Sequence, residues 1–446
     1  MAQSLYRKYF SISPVNNIST FSVSGGVDQI SFIIPALPGA TLQTRDLVMS
    51  GKLLISNAAG AAYTRASVVA GTENVAWDSV NGAQNLISRV DINSAGSNNS
   101  LIEQRRQYPL VCKYRRGVLS ENDLVVGSYA NQQMCSNSSN GARNYLTRQV
   151  DTAGCDFAIQ LNTGFFADSD QDINLQAANN ILVKIYLNDI SNSLFSVTPG
   201  SGPMTADWNI QLQNVELFGR WNYVSQPSLN NLRMVNFRKI NDLMSVLQSQ
   251  NDTLVNQPMV SSVNKIVAIY QPNATTSNNI SKNNTACNQV VGLSQYQLSS
   301  NGTLYPYDYE IDINPTIQSL NANTGVGSRQ GGSAEQSYML INSLGGQFPP
   351  VHSLVNGKNQ ARGVEDQISG NNVSSLNVDG IGVDYSYGFS GYTVPMNNSL
   401  LQTQVVSSIL TNDAIVPPAS RNQSATQNYF VEYNSSLTYA GMSVSQ

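Results

Sequence analysis

The sequence predicts an all-β protein built from antiparallel strands, and two observations carry that prediction. Apolar and polar residues alternate with a period of two at many places along the chain, as expected for strands with one buried face. Charged residues are only 12% of the 446 residues, about half the ~25% usual in soluble domains. Asn, Ser, Gln and Thr supply the polarity and 32 Gly punctuate the chain, a composition typical of strands joined by turns rather than of long helices.

The first half of the chain contains several clear alternating segments. In each of them the apolar residues share one parity and are separated by polar or small residues, which indicates antiparallel strands rather than the continuous apolar runs of a parallel sheet. The apolar positions are Ile30, Phe32 and Ile34; Phe157, Ile159 and Leu161; and Ile181, Val183, Ile185 and Leu187.

The second half repeats the pattern with more tyrosine. These segments also predict strands with one side buried. Their apolar positions are Tyr305, Tyr307, Tyr309, Ile311 and Ile313; Val383, Tyr385, Tyr387 and Phe389; and Tyr429, Val431 and Tyr433.

One strand changes parity along its length. Ile210 and Leu212 occupy even positions, whereas Val215 and Leu217 occupy odd positions. A β-bulge between the two pairs would return all four side chains to the core face.

Three short helices are predicted between the strands. Ser120–Asp123 resembles an N-terminal capping sequence, and Ser333–Gln336 is a capping box. After Phe237, four apolar residues stand at helical spacing and predict a helix over about 237–248. They are Ile240, Leu243, Met244 and Leu247.

This order of elements predicts two similar domains and an N-terminal arm. Residues 1–17 are expected to form the arm, which contacts a neighbouring subunit or the interior of an assembly, and a frayed terminus is the alternative. Residues 18–226 form the first domain. Residues 227–446 form the second, which begins with the linker helix at about 237–248.

The charge pattern argues against specific nucleic-acid recognition. The formal net charge is −4 and the pI is about 5.1, and no basic stripe for phosphate contacts is present. The local exception is a basic cluster, which we interpret as a solvated strand edge; contact with an anionic neighbour, a lipid or a genome is the alternative. The cluster comprises Arg105, Arg106, Lys113, Arg115 and Arg116.

The remaining sequence signals predict a soluble protein made inside a cell. No secretory signal or membrane-spanning run is visible. The four cysteines lack close spacing, so free thiols are favoured over a disulfide framework.

No catalytic, cofactor-binding or metal site is predicted. The single histidine, His352, cannot form a His-rich metal cluster, and the usual catalytic and nucleotide-binding motifs are missing. Gly164 and the Gly325–Gly332 stretch are interpreted as turns.

Acidic residues give no catalytic signal either. Asp168, Asp170 and Asp172 alternate, but Ile173 and Asn179 stand where a calcium loop needs Gly and Glu. The favoured interpretation is a solvated acidic turn. Two carboxylates lie in apolar strand contexts, Glu103 and Glu216, and both are interpreted as satisfied structural acids. A glycosidase pair cannot be recognised by spacing alone, since such carboxylates meet only in three dimensions.

Several segments, taken in order, resemble the double jelly-roll major capsid proteins of tailless icosahedral DNA viruses, especially those of polinton-like viruses and virophages. The resemblance runs in patches over nearly the whole chain and lies in the order of the patches. In the first half they are Leu47–Leu53, Ser100–Glu103 with Gln107 and Tyr108, Asp156–Phe165 and Leu182–Leu187; in the second half they are Leu304–Pro306, Val383–Tyr385 and Tyr439–Gly441.

The resemblance implies two eight-stranded antiparallel jelly rolls side by side, with a few short helices. It also implies a structural protein of the virion shell with no enzymatic activity and no cofactor. Three chains would form a pseudo-hexagonal capsomer that contacts other capsomers, penton proteins and minor capsid proteins. The N-terminal arm or the basic cluster would be the route to an internal membrane or the genome.

Two other classes remain open from the sequence. A carbohydrate-binding β-sandwich of a spike or cell-surface protein would share the strands and the tyrosine-rich faces. A sandwich or β-helical glycosidase comes third, although a β-helix should show a short rung repeat that is absent here.

Overall fold

The structure is a computed structural model. It describes the following residues: 6–57, 75–77, 83–95, 99–116, 155–170, 172–175, 178–189, 193–196, 208–223, 233–247, 251–256, 260–272, 293–300, 303–305, 311–312, 317–318, 328–329, 391–401, 405–411, 425–440 and 443–445.

The described residues of the first half form twelve strands and three short helices. The strands are β1 (Tyr6–Ile12), β2 (Thr20–Phe21), β3 (Gln29–Ile34), β4 (Ala40–Asn57), β5 (Val75–Trp77), β6 (Ile87–Ser94), β7 (Leu101–Arg105), β8 (Cys155–Gln160), β9 (Ile173–Asn174), β10 (Ile181–Leu187), β11 (Leu194–Ser196) and β12 (Trp208–Tyr223). The helices are a 3₁₀ turn (Ala83–Leu86), α1 (Tyr108–Arg116) and α2 (Gly164–Ala167).

The second half contributes strands only within its described residues. They are β13 (Arg233–Leu247), β14 (Asn251–Asn256), β15 (Val260–Pro272), β16 (Leu293–Ser300), β17 (Thr303–Tyr305), β18 (Ile311–Asp312), β19 (Ile317–Gln318), β20 (Ser328–Arg329), β21 (Gly391–Leu401), β22 (Val405–Thr411), β23 (Ala425–Ala440) and β24 (Ser443–Ser445).

Each half builds two main sheets with antiparallel pairing. In the first half one sheet has the order β1-β12-β4-β8, with β2 and β9 attached, and the other has the order β3-β10-β6-β7. In the second half the orders are β13-β23-β15-β21, with β24 attached, and β14-β22-β16-β17, with β18 attached. The chain is therefore a double jelly roll, as the resemblance implies. The predicted domain boundary at 226/227 lies between β12 and β13, outside the described residues, and stays a prediction.

The core of the first jelly roll lies between its two sheets and confirms the predicted alternation. Ile181, Val183, Ile185 and Leu187 are buried, while the residues between them are half-buried. They share a hydrophobic core with apolar residues of the opposite sheet, including Phe157. Burying an apolar side chain of this size contributes roughly 1.5–3 kcal/mol.

The strand predictions of the second half are confirmed only in part. Tyr429 and Val431 are buried in β23 as predicted, but Phe430 and Glu432, which alternate with them, are buried too, so this part of the strand is covered on both faces rather than one. Tyr305 ends β17 and Ile311 begins β18, whereas residues 306–310 and 383–389 lie outside the described part of the chain.

The predicted β-bulge in β12 is confirmed. The pairing with β4 steps from Gln213↔Lys52 to Glu216↔Ser50, so that two residues face one. Asn214 takes a positive φ of 51°, a conformation that Asn tolerates better than most residues. The bulge keeps Val215 in the same core as Leu212.

The predicted linker helix at about 237–248 is wrong, because residues 237–247 lie in strand β13. All 15 residues of β13 pair with β23, from Arg233↔Tyr439 to Leu247↔Ala425. Val235 and Phe237 are buried and alternate with the exposed residues Asn236 and Arg238. The segment therefore follows the period of two of a strand, although the next apolar residues stand at helical spacing. The helices predicted at 120–123 and 333–336 lie outside the described residues. Helix α1 was not predicted.

The N-terminal segment contains a strand that the sequence did not indicate. We expected the first strand after residue 17, but β1 pairs with β12 from Tyr6↔Tyr223 to Ile12↔Leu217. Phe10 is buried and its ring stacks on Trp221, with centroids 4.4 Å apart. Residues 6–12 are thus an edge strand of the first jelly roll rather than a free arm; contact of this segment with a neighbour remains a prediction.

Candidate functional site: the junction between the jelly rolls

Glu103 holds the beginning of α2 at the side of the first jelly roll that faces β13. Its side chain is 1% exposed, and its two oxygens accept hydrogen bonds from the backbone N–H groups of Gly164, at 2.8 Å, and Phe165, at 2.6 Å. Thr163 caps the same turn by accepting a bond from the Phe166 N–H, a role that Thr commonly fills. The interpretation of Glu103 as a satisfied structural acid is confirmed.

Arg105 completes this buried group. Its Nη2 donates to Glu103 Oε1 at 2.6 Å, and its side chain is also 1% exposed. Its Nε and Nη1 have no hydrogen-bond partner among the described residues. Such a pair is costly to break from one side, because removing one member leaves a buried charge unpaired, at a cost of about 3–5 kcal/mol.

The basic cluster is therefore not one solvated strand edge. Arg105 is buried in β7, whereas Arg106 is exposed as predicted. Lys113, Arg115 and Arg116 belong to α1, and their side chains lie outside the described part. The sequence spacing could not separate these cases, since it does not show that Glu103 pairs with Arg105 two residues along the strand.

Helix α2 packs directly on β13 of the second jelly roll. The Phe165 ring meets the Phe237 ring edge-on, with centroids 5.3 Å apart and an angle of 79°. A Cβ atom on Gly164 would lie 1.6 Å from the Arg238 carbonyl oxygen, so only glycine permits this approach. Gly164 begins a helix and is not the simple turn that the sequence suggested.

Asp170 covers part of the edge of β13. The Asp170 N–H donates to the Asn236 carbonyl at 3.1 Å. In return the Asn236 N–H donates to Asp170 Oδ1 at 3.0 Å, and the Asn236 side-chain amide donates to Oδ2 at 2.9 Å. Because β13 ends its sheet, these bonds satisfy edge groups that would otherwise be open to pairing with another chain.

The three acidic residues near α2 do not converge on one point. The Asp168 N–H closes the helix by donating to the Gly164 carbonyl, Asp170 binds Asn236, and Asp172 accepts a bond from the Asn222 amide at 2.8 Å. Among the described residues no group of three or more His, Cys, Asp or Glu is placed to hold a metal ion. The other predicted acid, Glu216, accepts a bond from the Ser11 hydroxyl at 2.6 Å.

Charges from the second jelly roll face this group. Burial lowers the pKa of Lys239, and the nearby Glu103 carboxylate partly offsets that change. Burial raises the pKa of Asp242, while Arg106 and Arg105 act in the opposite direction. Burial likewise raises the pKa of Tyr433, with Glu103 adding to the rise. Lys239 thus faces the Glu103 carboxylate, and Asp242 faces Arg105 and Arg106.

A second buried charge group in β13–β23–β15 was missed by the sequence reasoning. Glu432 and Lys265 are 3.1 Å apart and almost fully buried, and Arg238 approaches Glu432 at 3.5 Å from a half-exposed position. The sequence signal was a lone lysine in the apolar strand segment VNKIVAIY, since a buried lysine usually requires an acidic partner.

The outer part of β1 presents exposed aromatic and basic side chains. Tyr6 is 66% exposed and Tyr9 is 73% exposed, and Arg7 and Lys8 are also exposed.

No helix in the described part of the chain has the length and apolar character needed to span a bilayer. His352 and Gly325–Gly332 fall outside the described side chains.

The sequence matches no family model and no curated protein. The fold, in contrast, resembles solved virus structures over the whole chain. The Faustovirus major capsid protein aligns with a TM-score of 0.58 and 10% identity, over 99% of this chain and 91% of that chain. A chain of the Sputnik virophage aligns with a TM-score of 0.55 and 12% identity, over 99% and 88% respectively.

A third similarity agrees with these two. A chain of the PBCV-1 virus capsid aligns with a TM-score of 0.52 and 10% identity, over 100% of this chain and 98% of that chain. Both jelly rolls are included in each alignment, because nearly all of the chain is covered. This chain therefore has the double jelly-roll fold found in viral major capsid proteins.

Proposed function

We propose that the chain is a major capsid protein, a structural subunit of the shell of a tailless icosahedral DNA virus. The observation that carries this proposal is the pair of jelly rolls joined in one chain through a shared core. Val235, Phe237 and Leu437 of the second half belong to the same hydrophobic cluster as the core of the first half. A ligand-binding sandwich has no need of two such units fixed side by side.

The working unit would be a homotrimer of pseudo-hexagonal outline. Each chain would contribute two similar wedge-shaped jelly rolls, so three chains would contribute six wedges. Six wedges give an outline that tiles a facet of the shell, although the true symmetry of the trimer is three-fold. The low charged fraction of 12% suits the lateral contacts, because neutral amide and hydroxyl groups avoid the desolvation cost of charged surfaces.

The decisive measurement is the absolute mass of the purified protein by light scattering after size exclusion. A stable species of three times the 48.3 kDa chain mass, with hexagonal outlines in electron micrographs, is expected. A monodisperse monomer over a wide concentration range would contradict the proposal and favour a carbohydrate-binding spike or surface protein.

We further propose that the outer part of β1 takes part in contacts between subunits or with the particle interior, where a membrane or genome would present anionic groups. The support is the exposed Tyr6, Arg7, Lys8 and Tyr9. Deleting the first 15 residues would also remove β1 from its sheet. The sharper test is therefore the double variant Tyr6→Ser and Tyr9→Ser, which keeps the strand.

That double variant should form trimers but assemble shells poorly. Shells that form at the wild-type rate and yield would contradict a contact role for this strand. Penton and minor capsid proteins are the other partners expected of such a subunit, and co-purification from infected cells is the way to identify them.

A further inference from the structure

Three features converge where the first jelly roll meets β13. The Glu103 carboxylate binds the first two N–H groups of α2. The same turn touches β13 through the Gly164 backbone and the Phe165 ring. Six residues further along, Asp170 bonds to Asn236 in β13. The segment 164–170 is thus the part of the first jelly roll against which β13 is placed.

We propose that Glu103 is a positioning residue, which by holding the first turn of α2 fixes the second jelly roll on the first. Its hydrogen bonds to α2 carry this role, and its attraction to Lys239 of β13 adds to it. Resting on the proposed capsid function, the inference extends to assembly: a trimer of six wedges requires one fixed angle between the two wedges of each chain, so Glu103 is also needed for efficient trimer formation.

The geometry supports a positioning role because each contact leaves little freedom. Gly164 lies very close to the Arg238 carbonyl. A shift of α2 by one methyl radius toward β13 would make the two backbones clash, and the same shift away from β13 would separate them. The carboxylate is itself held by Arg105, so its orientation is fixed from a second side. A buried, hydrogen-bonded ion pair of this kind specifies one arrangement rather than adding much net stability.

The charges around Glu103 favour the same arrangement. From the second jelly roll, Lys239 lies near Glu103 and Asp242 lies near Arg106 and Arg105. A displacement of β13 along its axis would weaken both attractions together. Opposite charges arranged in this way set the register of an interface more than its strength.

Hydrogen exchange followed by mass spectrometry tests the proposal on the full chain. The reporters are peptides covering 162–166, which contain the amides bound by Glu103, and 234–238, which contain the Asn236 amide bound by Asp170. In Glu103→Gln we expect exchange to rise by about tenfold or more in both peptides. A peptide from β10 should exchange at the wild-type rate, and Glu103→Asp should restore part of the protection.

Asp170→Ala serves as the matched control. It removes the acceptor for the Asn236 amide without touching Glu103, so it should raise exchange at 234–238 and leave 162–166 unchanged. If Glu103→Gln raises exchange at 162–166 alone, Glu103 merely caps α2 and the positioning role is overturned.

A second variant keeps the test decisive if Glu103→Gln does not fold. The double change Glu103→Leu with Arg105→Met removes both members of the buried Glu103–Arg105 pair, so neither is left without the other. It also removes the acceptor for the α2 amides. The same spread of exchange to 234–238 is expected, and its absence would overturn the proposal.

Light scattering on the same samples separates this inference from the proposed function. A wild-type monomer would reject the capsid proposal whatever the exchange pattern shows. A wild-type trimer, together with a Glu103→Gln sample that exchanges faster in both peptides and loses trimer, is the expected result. An unchanged trimer fraction in that sample would overturn the link between Glu103 and assembly.

Discussion

At the scale of single residues, the half-buried carboxylate of Asp242 lies beside the junction between the two jelly rolls. Burial raises its pKa above the ordinary value of 3.8, so the ionised form is disfavoured in the folded protein. We therefore expect Asp242→Asn to raise the melting temperature at pH 7. The gain should shrink as the pH falls through the raised pKa, because protonation relieves the same penalty in the wild type.

The matched control is Asp156→Asn, since Asp156 is exposed on β8. Surface changes of this kind usually alter stability by less than about 0.5 kcal/mol. A lower melting temperature for Asp242→Asn at pH 7 would show that attraction to Arg106 and Arg105 outweighs the burial penalty.

Gly164 gives the second prediction at the residue scale. Alanine at a helical position normally stabilises relative to glycine by up to about 1 kcal/mol. Here the added Cβ would lie 1.6 Å from the Arg238 carbonyl oxygen, and a backbone atom cannot rotate away. We expect Gly164→Ala to destabilise the protein by roughly 1–3 kcal/mol or more, measured by urea unfolding.

Gly25→Ala is the control for that substitution. Its added Cβ would meet Ser22 at 3.5 Å, an ordinary contact. Equal unfolding midpoints for the two variants would mean that α2 and β13 can separate at little cost.

The bulge in β12 carries the prediction at the scale of elements. Asn214 has a φ of 51°, and the left-handed region costs L-residues about 1–2 kcal/mol, most of all β-branched ones. We expect Asn214→Val to destabilise by about that amount, whereas Asn214→Gly should be close to neutral. Thermal unfolding of both variants checks this, and a valine variant as stable as the glycine variant would argue against the bulge.

Strand β13 shows how an element can contradict its local pattern. Ile240, Leu243, Met244 and Leu247 have helical spacing, yet β13 pairs with β23 over its whole length. A short amphipathic helix gains little by itself, while pairing with a neighbouring strand satisfies the backbone and buries Val235 and Phe237. The spacing of residues in the sequence indicates whether a segment can form an amphipathic helix. It does not show the energy gained when the segment pairs with a distant strand.

Trimer formation gives the prediction at the scale of the whole molecule. With charged residues at 12% of the chain, we expect the lateral contacts to depend mainly on neutral groups and apolar area. The proposed trimer should therefore persist when ionic strength rises from about 0.1 to about 1 M, over which the Debye length falls from ~10 to ~3 Å. Sedimentation velocity across this range measures it, and ready dissociation in moderate salt would indicate charge pairs instead.

The sequence by itself determined the β class, the faces of the clearest strands and the bulge near Asn214. These features depend on local periodicity, which a strand's two faces impose directly on the residues. The sequence also indicated that Glu103 is a structural acid. It did not reveal β1, β13 or the pairing of Glu103 with Arg105 and the α2 amides. Apart from Arg105, which lies two residues from Glu103, the partners lie between 61 residues away, as for Gly164 and Glu103, and 217 residues away, as for Tyr6 and Tyr223. Only the tertiary structure decides which distant backbone or charge stands opposite.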